Sequence, residues 1–574
     1  MGKRVSVSEG AEAFLELLNA FDVDYIFLNP GSDTFPVQEA VAKYKALGKD
    51  YPEIVLCLHE FVALAAAHGH FMMSGKPQVV MVHADQGIQQ VGGALHNAQR
   101  GRAGVILCSG QVCFEGDKRG SRSSYVQWWQ SQFDQAGIVR SYVKGEYDLH
   151  TSENMHQKLQ RAFQIASTEP SGPVFINFHR DVLLEKLQET IIPEVNRHMA
   201  ALTTPCDTGA LVMAAEILLQ AENPLILTSY SGRNNNAMQS LVELAETLGA
   251  RVVSEQTRMN FPTTHALYGG ADPVPYLKDA DALLIIDQDV PYVPSQVSPR
   301  PETKVIHIDI DPVKQDIPIW NFPVDLLMGG DSSKALPVLT EIIQQRITDE
   351  QRARAQDRLK KLSGENKELQ DKWRNLANFR ADQKPIAPEW LCHCLAEVID
   401  KDTIVLDEAV TNSQILKHQL SRIEPGTFFS SGGSALGWGL GAALGAKLAC
   451  PDKTIVSVVG DGAFIFGHPI ATYWAASVYK APFLTIILDN EVYKATKKHL
   501  WSAYGRESYS EKTGWVGMEI KPSPDYVAIS QASYAYAQRV TEPAQFKTAL
   551  KQALEQVNQG KPAVLDVKIS EETG

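Results

Sequence analysis

The sequence predicts an α/β protein of three domains, each built on a mostly parallel sheet flanked by helices. Short β-rich runs alternate with helical patterns along most of the chain, which is typical of parallel sheets covered on both faces. A highly charged, helix-prone stretch at residues 346–384 interrupts this alternation. The length of 574 residues is enough for about two to four domains with well-buried cores.

The first predicted domain covers residues 1–190. Residues 10–21 carry apolar side chains at helical spacing and predict an amphipathic helix. Five runs that each end in polar or glycine residues predict strands: DYIFLNPG, IVLCLHE, QVVMVHA, AGVILCSG and GPVFINF. The sequence therefore indicates a parallel sheet at the N-terminus.

The central and C-terminal domains are predicted at residues 200–345 and 385–574, joined by the charged linking helix of residues 346–384. The central domain looks Rossmann-like, but no G-x-G-x-x-G follows its strands, so a dinucleotide site is not indicated. Its predicted strands are PLILTSY, ARVVSEQ, ALLIIDQD and KVIHIDID. Those of the C-terminal domain are DTIVLDEA, TIVSVVGD, FLTIILDN and AVLDVKI.

Composition excludes several classes of function. The net charge of −13 argues against a nucleic-acid partner, which would need a basic face. No apolar run approaches the length of about 18 to 20 residues that a membrane span needs. The seven scattered cysteines form no zinc-binding pattern, so we expect buried free thiols and a cytoplasmic protein.

A metal site is predicted where two strands of the C-terminal domain end. The run TIVSVVGDGAF places Gly460, Asp461 and Gly462 at the carboxyl end of a strand, where open parallel sheets bind ligands. The next strand ends in Asn490, 29 residues after Asp461, with a helix predicted between them at residues 469–479. Asp461, Asn490 and the carbonyl of Val492 are hard oxygen ligands of the kind that Mg²⁺ prefers.

This arrangement resembles the signature of thiamine-diphosphate enzymes, in which GDG is followed at this distance by NN. The first Asn is replaced here by Asp489, which adds negative charge beside the metal. The resemblance implies thiamine diphosphate and Mg²⁺ as cofactors. It also implies that a glutamate activates the cofactor through N1′ of the aminopyrimidine, and Glu60 in the strand–Glu–helix run EIVLCLHEFVALAAAH matches this role. The alternative for Glu60 alone is an acid that complements a helix N-terminus.

Further cofactor contacts follow from the same resemblance. In SSGGSALGWGLGAALGAKLA, Leu436 would lie beneath the cofactor and bend it, and the Ser434 carbonyl would accept a bond from the aminopyrimidine. The alternative for this stretch is a seam of small residues between helices. Other residues implied in cofactor binding are Glu408, Val410, Thr411, Gly460, Gly462, Ala463 and Tyr493.

Two kinds of thiamine enzyme compete for the substrate assignment. NPGSDTFP and HADQG resemble benzoylformate decarboxylase, which implies that Ser32 binds the substrate carboxylate and that His83 transfers protons. The segment QTRMNFPTTHALYGG also resembles that enzyme, but DQDVPYVPSQ lacks the histidine that its central domain contributes. The alternatives are that Ser32 caps the next helix and that His83 only satisfies backbone groups.

The second kind is the acetolactate-synthase-like proteins. GDGAFIFGHPIATYW and GSRSSYVQWWQSQFDQAGIVR resemble them, and Gln130 is the nearest candidate for their substrate-positioning glutamine. No convincing FAD-binding stretch is present, so FAD is not implied. After Asn490, the run EVYKATKKHLW predicts either a solvated basic turn or a pocket wall that attracts an anionic substrate.

The sequence thus indicates a 2-oxo acid decarboxylase or carboligase, acting through ylid and enamine intermediates, with an aldehyde or a second 2-oxo acid as acceptor in ligation. The resemblance implies a homodimer, often paired into a tetramer, in which Glu60 of one subunit meets the Asp461 half-site of another. A 2-hydroxyacyl-CoA lyase or oxalyl-CoA decarboxylase is an alternative. An inactive regulatory subunit is a further one, against which the retained Glu60 argues.

Overall fold

The computed structural model describes residues 2–114, 116–117, 121–197, 199–255 and 257–571. Gly120 and Gln256, which begin two of the segments quoted above, lie outside these residues. The structure confirms the predicted α/β class, with three mostly parallel sheets that are flanked by helices.

The N-terminal sheet has six parallel strands in the spatial order β3-β2-β4-β5-β7-β6. A two-stranded antiparallel ribbon of β1 and β8 stands beside it. The strands are β1 (Lys3–Ser6), β2 (Tyr25–Leu28), β3 (Glu53–Leu56), β4 (Gln78–Val82), β5 (Val105–Gln111), β6 (Glu146–Leu149), β7 (Val174–His179) and β8 (Glu189–Ile192). Chain order reverses between β2 and β4, so a crevice opens there at the carboxyl ends.

The central sheet has five parallel strands in the order β10-β9-β11-β12-β13. They are β9 (Pro224–Thr228), β10 (Arg251–Ser254), β11 (Ala282–Ile286), β12 (Lys304–Asp309) and β13 (Leu326–Gly329). Arg102 of the N-terminal region reaches this sheet and forms ion pairs with Asp289 and Asp309, at the ends of β11 and β12. These buried pairs tie the two regions together.

The C-terminal sheet has six parallel strands in the order β15-β14-β16-β17-β19-β18. They are β14 (Ile404–Glu408), β15 (Phe428–Ser430), β16 (Ile455–Gly460), β17 (Leu484–Asp489), β18 (Tyr536–Val540) and β19 (Ala563–Lys568). Chain order reverses between β14 and β16, so this sheet also has a crevice at its carboxyl ends.

Helices cover the faces of all three sheets. In the first two regions they are Gly10–Ala20, Phe35–Leu47, Glu60–Ser74, Ala84–Gln90, Gly92–Arg100, Val126–Trp129, Met155–Ser167, Arg180–Leu184, Thr208–Gln220, Asn235–Leu248, Val274–Leu277 and Ser332–Arg346. The charged stretch forms the helix Asp349–Phe379, which begins with a capping box of Thr348 and Gln351. The rest are Pro388–Val398, Ser413–Gln419, Trp438–Ala449, Asp461–Phe466, Pro469–Val478, Lys494–Tyr504, Tyr509–Thr513, Tyr526–Gln531 and Pro543–Asn558.

The N- and C-terminal regions share one apolar core, in which the helices Glu60–Ser74 and Trp438–Ala449 pack side by side. Glycines let their backbones touch, because a Cβ at Gly445 would lie 1.8 Å from the Ala66 carbonyl oxygen, and one at Gly69 would lie 2.2 Å from the Ala442 carbonyl oxygen. The small-residue seam predicted for this stretch is therefore present. Both helices begin at candidate site loops.

All seven cysteines are free, and six of them are buried, as the sequence predicted. Among the described residues, no helix combines the length and apolar character that crossing a membrane requires.

Candidate active site

Asp461 and the loop after β17 meet at the carboxyl ends of two adjacent strands. The Asp461 carboxylate accepts hydrogen bonds from the Gly462 N–H at 2.7 Å and the Glu491 N–H at 2.8 Å. Asn490 Oδ1 accepts from the Val492 N–H at 3.1 Å, and the Val492 carbonyl accepts from the Lys494 N–H at 2.8 Å. The three predicted metal ligands thus share one pair of loops.

The donor set of these loops fits Mg²⁺. Within the described ranges, no three His, Cys, Asp or Glu side chains gather to hold a metal by themselves, so a cation here would need the Asn490 amide and a carbonyl besides Asp461. Burial, and then the neighbouring Asp489 carboxylate, raise the pKa of Asp461 above its usual range. A divalent cation favours the charged carboxylate and would offset both effects.

The glycines of this loop leave room for a ligand. A Cβ at Gly460 would meet nothing within 4 Å, so the end of β16 faces open space. A Cβ at Gly462 would lie 2.7 Å from the Tyr493 ring, which requires glycine there. Ala463 is buried beneath, and Tyr493 is partly exposed beside the loop. The open space beside Gly460 could therefore admit a ligand such as a diphosphate.

The carboxylate of Glu408, a residue expected at the cofactor, is hydrogen-bonded to backbone donors of a neighbouring loop. It accepts from the N–H groups of Gly437 at 2.7 Å, Trp438 at 3.1 Å and Gly439 at 2.8 Å, at the start of the helix Trp438–Ala449. Burial raises its pKa to about 7 against the lowering effect of these bonds. Glu408 therefore holds the loop that carries Ser434 and Leu436.

A side-chain clamp holds the other end of that loop. The Asn97 amide accepts from the Ala435 N–H at 3.0 Å and donates to the Ala435 carbonyl at 2.8 Å. His96 contacts the Ser434 hydroxyl and N–H at 3.2 Å. Ser434 is exposed, and Leu436 packs partly buried against the shared core. No motif in the sequence indicated Asn97, since 338 residues separate it from Ala435.

Strained backbone marks four of the site loops. Ala84, Val410, His468 and Glu491 all have positive φ, between 31° and 58°. Such a conformation costs about 1 to 3 kcal/mol for a residue other than glycine, and it concentrates at functional sites. Val410 is β-branched and exposed, and Thr411 follows it in a short 3₁₀ turn after β14.

Glu60 begins the helix Glu60–Ser74, four residues beyond Leu56, where β3 ends. His59 precedes it as the N-cap, with Nδ1 accepting from the Phe61 N–H at 3.1 Å. The His59 ring stacks on His468 with centroids 3.5 Å apart, which joins this loop to the one after the helix Asp461–Phe466. The Glu60 side chain is 15% exposed, so a ligand can reach it.

His83 lies between two polar partners at the end of β4. Its Nδ1 contacts the Asp33 carboxylate, and its Nε2 lies 2.9 Å from the Gln130 amide nitrogen. The hydrogen bond to Asp33 is the main cause that raises the pKa of His83, and the charge of Glu60 adds to it. The structure thus brings His83, Gln130 and Glu60 together at the carboxyl ends of the N-terminal sheet.

Ser32 is exposed in the adjoining loop after β2. It does not cap the next helix, whose N-cap is Thr34. The loop lies against His83, since a Cβ at Gly31 would be 2.1 Å from that ring, and the Ser32 carbonyl accepts from Arg180 Nη1 at 2.8 Å.

Two further segments differ from the expected turn and proton-relay segments. The basic run after Asn490 is not a solvated turn but the helix Lys494–Tyr504, in which Lys494 and Lys497 are buried. In the segment of residues 287–296, Asp287 pairs with Arg233. In the same segment Asp289 pairs with Lys314, so basic side chains hold both carboxylates.

Comparisons with known proteins assign the family. Residues 8–138 match the thiamine pyrophosphate enzyme N-terminal TPP binding domain, residues 211–339 match the central domain of the same enzymes, and residues 409–567 match their C-terminal TPP binding domain.

Curated relatives match over nearly the whole chain. A benzoylformate decarboxylase of Pseudomonas aeruginosa is 26% identical, covering 94% of this chain and 96% of its own. A probable acetolactate synthase large subunit of Methanocaldococcus jannaschii is 27% identical, covering 98% and 92%. The acetolactate synthase isozyme 3 large subunit of Escherichia coli is 25% identical, covering 98% and 94%.

Solved structures share the fold. The benzoylformate decarboxylase of Polynucleobacter necessarius has a TM-score of 0.80 at 21% identity, covering 99% of this chain and 100% of its own. A thiamine diphosphate-dependent 4-hydroxybenzoylformate decarboxylase of Rhodococcus jostii has a TM-score of 0.78 at 22% identity, with the same coverage. The chain therefore belongs to the thiamine pyrophosphate enzymes, within the group of decarboxylases and acetolactate-synthase-like carboligases.

Proposed function

We propose that this enzyme uses thiamine diphosphate and Mg²⁺ to decarboxylate a 2-oxo acid. The carbon that has lost CO₂ then either takes up a proton, which gives an aldehyde, or forms a bond to a second carbonyl compound. The observation that carries the proposal is the chain of contacts from Asp33 through His83 to Gln130, in which His83 lies close enough to Glu60 to respond to its charge. It supplies a proton-transfer group next to the activating acid. The mixed similarity to benzoylformate decarboxylase and acetolactate synthases, at about 25% identity, supports the class but not one substrate.

In this proposal Asp461, Asn490 and the Val492 carbonyl hold Mg²⁺, and Leu436 and Ser434 lie against the cofactor. When bound, thiamine diphosphate supplies the carbon nucleophile and accepts the electrons that CO₂ leaves behind. Glu60 hydrogen-bonds the aminopyrimidine, and Ser32 binds the substrate carboxylate.

His83 holds and moves the proton. Its Nδ1–H donates to Asp33, and its Nε2 can exchange a proton with the substrate once the substrate takes the place of the Gln130 amide there. Before the substrate binds, Gln130 can keep contact with either form of His83, because an amide can present its N–H₂ to neutral Nε2 or its oxygen to protonated Nε2. Gln130 therefore orients His83 without fixing its charge.

A second copy of the chain would complete the site. Among the described residues, no hydrogen bond or ion pair joins Glu60, His83 or Gln130 to Asp461 or Asn490. The two groups lie in different regions, each at the crevice of its own sheet. We propose a homodimer in which the N-terminal group of one subunit faces the C-terminal group of the other.

The test is to incubate the purified protein, thiamine diphosphate and Mg²⁺ with a panel of 2-oxo acids, with and without acceptor aldehydes. Mass spectrometry would detect CO₂, aldehydes and acyloins. Aldehyde without acyloin indicates a decarboxylase, and acyloin or acetohydroxy acid indicates a carboligase. If cofactor is bound but no 2-oxo acid loses CO₂, the proposal is wrong.

A further inference from the structure

Asp489 adds a second buried carboxylate to the proposed cation site, where the family signature has Asn. It is 1% exposed, and it shares a donor with Asp461. The Glu491 N–H lies 2.8 Å from Asp461 Oδ2 and 3.2 Å from Asp489 Oδ1. Two carboxylates this close repel each other, so the extra charge needs a counter-ion from the chain.

Lys568 provides that counter-ion from the neighbouring strand. It ends β19, where it is the register partner of Asp489 at the end of β17. Its Nζ lies 3.3 Å from Asp489 Oδ2 and 2.6 Å from Glu491 Oε1. The Lys568 side chain is 26% exposed, so its pairing with Asp489 is only partly screened by water.

The same network fixes the turn at Glu491. This residue has φ 58°, which glycine would adopt more easily, and its backbone donates to Asp461. The Ser523 hydroxyl lies 3.0 Å from Glu491 Oε1, and the Glu491 carbonyl accepts from the Ile520 N–H at 2.8 Å. Side chain and backbone together hold the turn in its strained conformation.

We propose that Lys568 is a positioning residue of the cation site, which neutralises Asp489 and holds the Glu491 turn against Asp461. Asp489 with Lys568 then does the work of the neutral Asn found in the family signature. The Mg²⁺-binding measurement below rests on the proposed function, whereas the melting temperature of the cofactor-free protein does not depend on it.

The test is a double-mutant cycle of Lys568→Met and Asp489→Asn, with the exposed Lys561→Met as matched control. Lys568→Met should lower the melting temperature of the cofactor-free protein by several degrees, because it leaves a buried charge unpaired. It should also weaken Mg²⁺ binding in the presence of thiamine diphosphate about tenfold, measured by calorimetry. Asp489→Asn alone should change the melting temperature little. In the Lys568→Met background it should restore both values in part, because it removes the unpaired carboxylate while the Lys568–Glu491 pair stays lost.

Three results would overturn the inference. Lys568→Met could have the same melting temperature and Mg²⁺ affinity as the Lys561→Met control. Asp489→Asn could also fail to rescue Lys568→Met, and Lys568 would then act through Glu491 alone. Tighter Mg²⁺ binding in Lys568→Met would indicate a purely electrostatic effect, since removing a positive charge favours a cation. If the wild type binds no Mg²⁺ with thiamine diphosphate, the proposed function fails, and the melting temperatures still decide the pairing.

Discussion

Asp33 is the residue through which the proton-transfer role of His83 can be tested most directly. Its carboxylate contacts His83 Nδ1 with one oxygen and accepts from the Ala84 N–H at 3.0 Å with the other. Asp33→Asn keeps the shape of the side chain and removes its charge. We expect the pKa of His83 to fall, because its raised value comes mainly from this bond.

The size of the effect follows from the type of bond. Asp33 is 4% exposed, so water does not replace the lost charge. A hydrogen bond to a charged partner contributes about 1.5 to 3 kcal/mol. Each 1.36 kcal/mol is a factor of ten, so the ratio of protonated to neutral His83 should fall by about ten- to a hundredfold at a fixed pH.

The assay is kcat/KM for the best 2-oxo acid as a function of pH, with the exposed Asp50→Asn as control. Since the wild-type pKa is raised above 6.5, protonated His83 is lost only as the pH rises through that higher value. The alkaline limb should therefore move to lower pH in Asp33→Asn and stay in place in Asp50→Asn. NMR titration of the His83 ring gives an independent measure.

Protein stability should follow the same linkage. The bond between Asp33 and protonated His83 stabilises the fold fully below pH 6.5, the usual pKa of His in an unfolded chain, and this contribution is lost as the pH rises through the raised folded-state pKa. Asp33→Asn should remove it. An unchanged pH–rate profile together with an unchanged His83 titration would refute the role given to Asp33.

The other predictions concern the cofactor site. Glu60→Gln should retain thiamine diphosphate by calorimetry and release no CO₂; turnover at the wild-type rate would contradict the role of Glu60. Asp461→Ala should lose Mg²⁺-dependent cofactor binding, and an unchanged affinity would contradict the metal assignment. Mixing these two inactive variants after subunit exchange should restore about a quarter of wild-type activity, since half of the dimers then contain one intact site; no recovery would argue against a shared site. Asn97→Ala should weaken cofactor binding severalfold by removing two bonds to Ala435, whereas an exposed Asn236→Ala should not.

The sequence predicted the long buried strands and the residues that end them. Apolar runs such as those of β16 and β17 are strong signals, and Asp461 and Asn490 stand where they stop. It missed short strands with charged or mixed residues, such as β6 (Glu146–Leu149) and β18 (Tyr536–Val540), because neighbouring strands stabilise them rather than their own pattern.

The residues that support the site could not be predicted from the sequence. Asp33, Asn97 and Lys568 act on partners that are 50, 338 and 79 positions away. Neighbouring strands bring Asp33 to His83 and Lys568 to Asp489, and the packing of the N-terminal region on the C-terminal region brings Asn97 to Ala435. Glu408 was expected at the cofactor, and the sequence did not indicate that its carboxylate also accepts from three N–H groups at the start of a helix.

The seam between the helices Glu60–Ser74 and Trp438–Ala449 has a mechanical consequence. Long side chains at an interface can change rotamer and let two helices slide past each other. At Gly69 and Gly445 the two backbones are in direct contact instead. The two helices should therefore move as one rigid unit. Glu60 lies at the N-terminus of one helix, and the Ser434–Leu436 loop precedes the N-terminus of the other. A ligand that tilts either helix would also shift the other, even when Glu60 and the Ser434–Leu436 loop belong to different active sites.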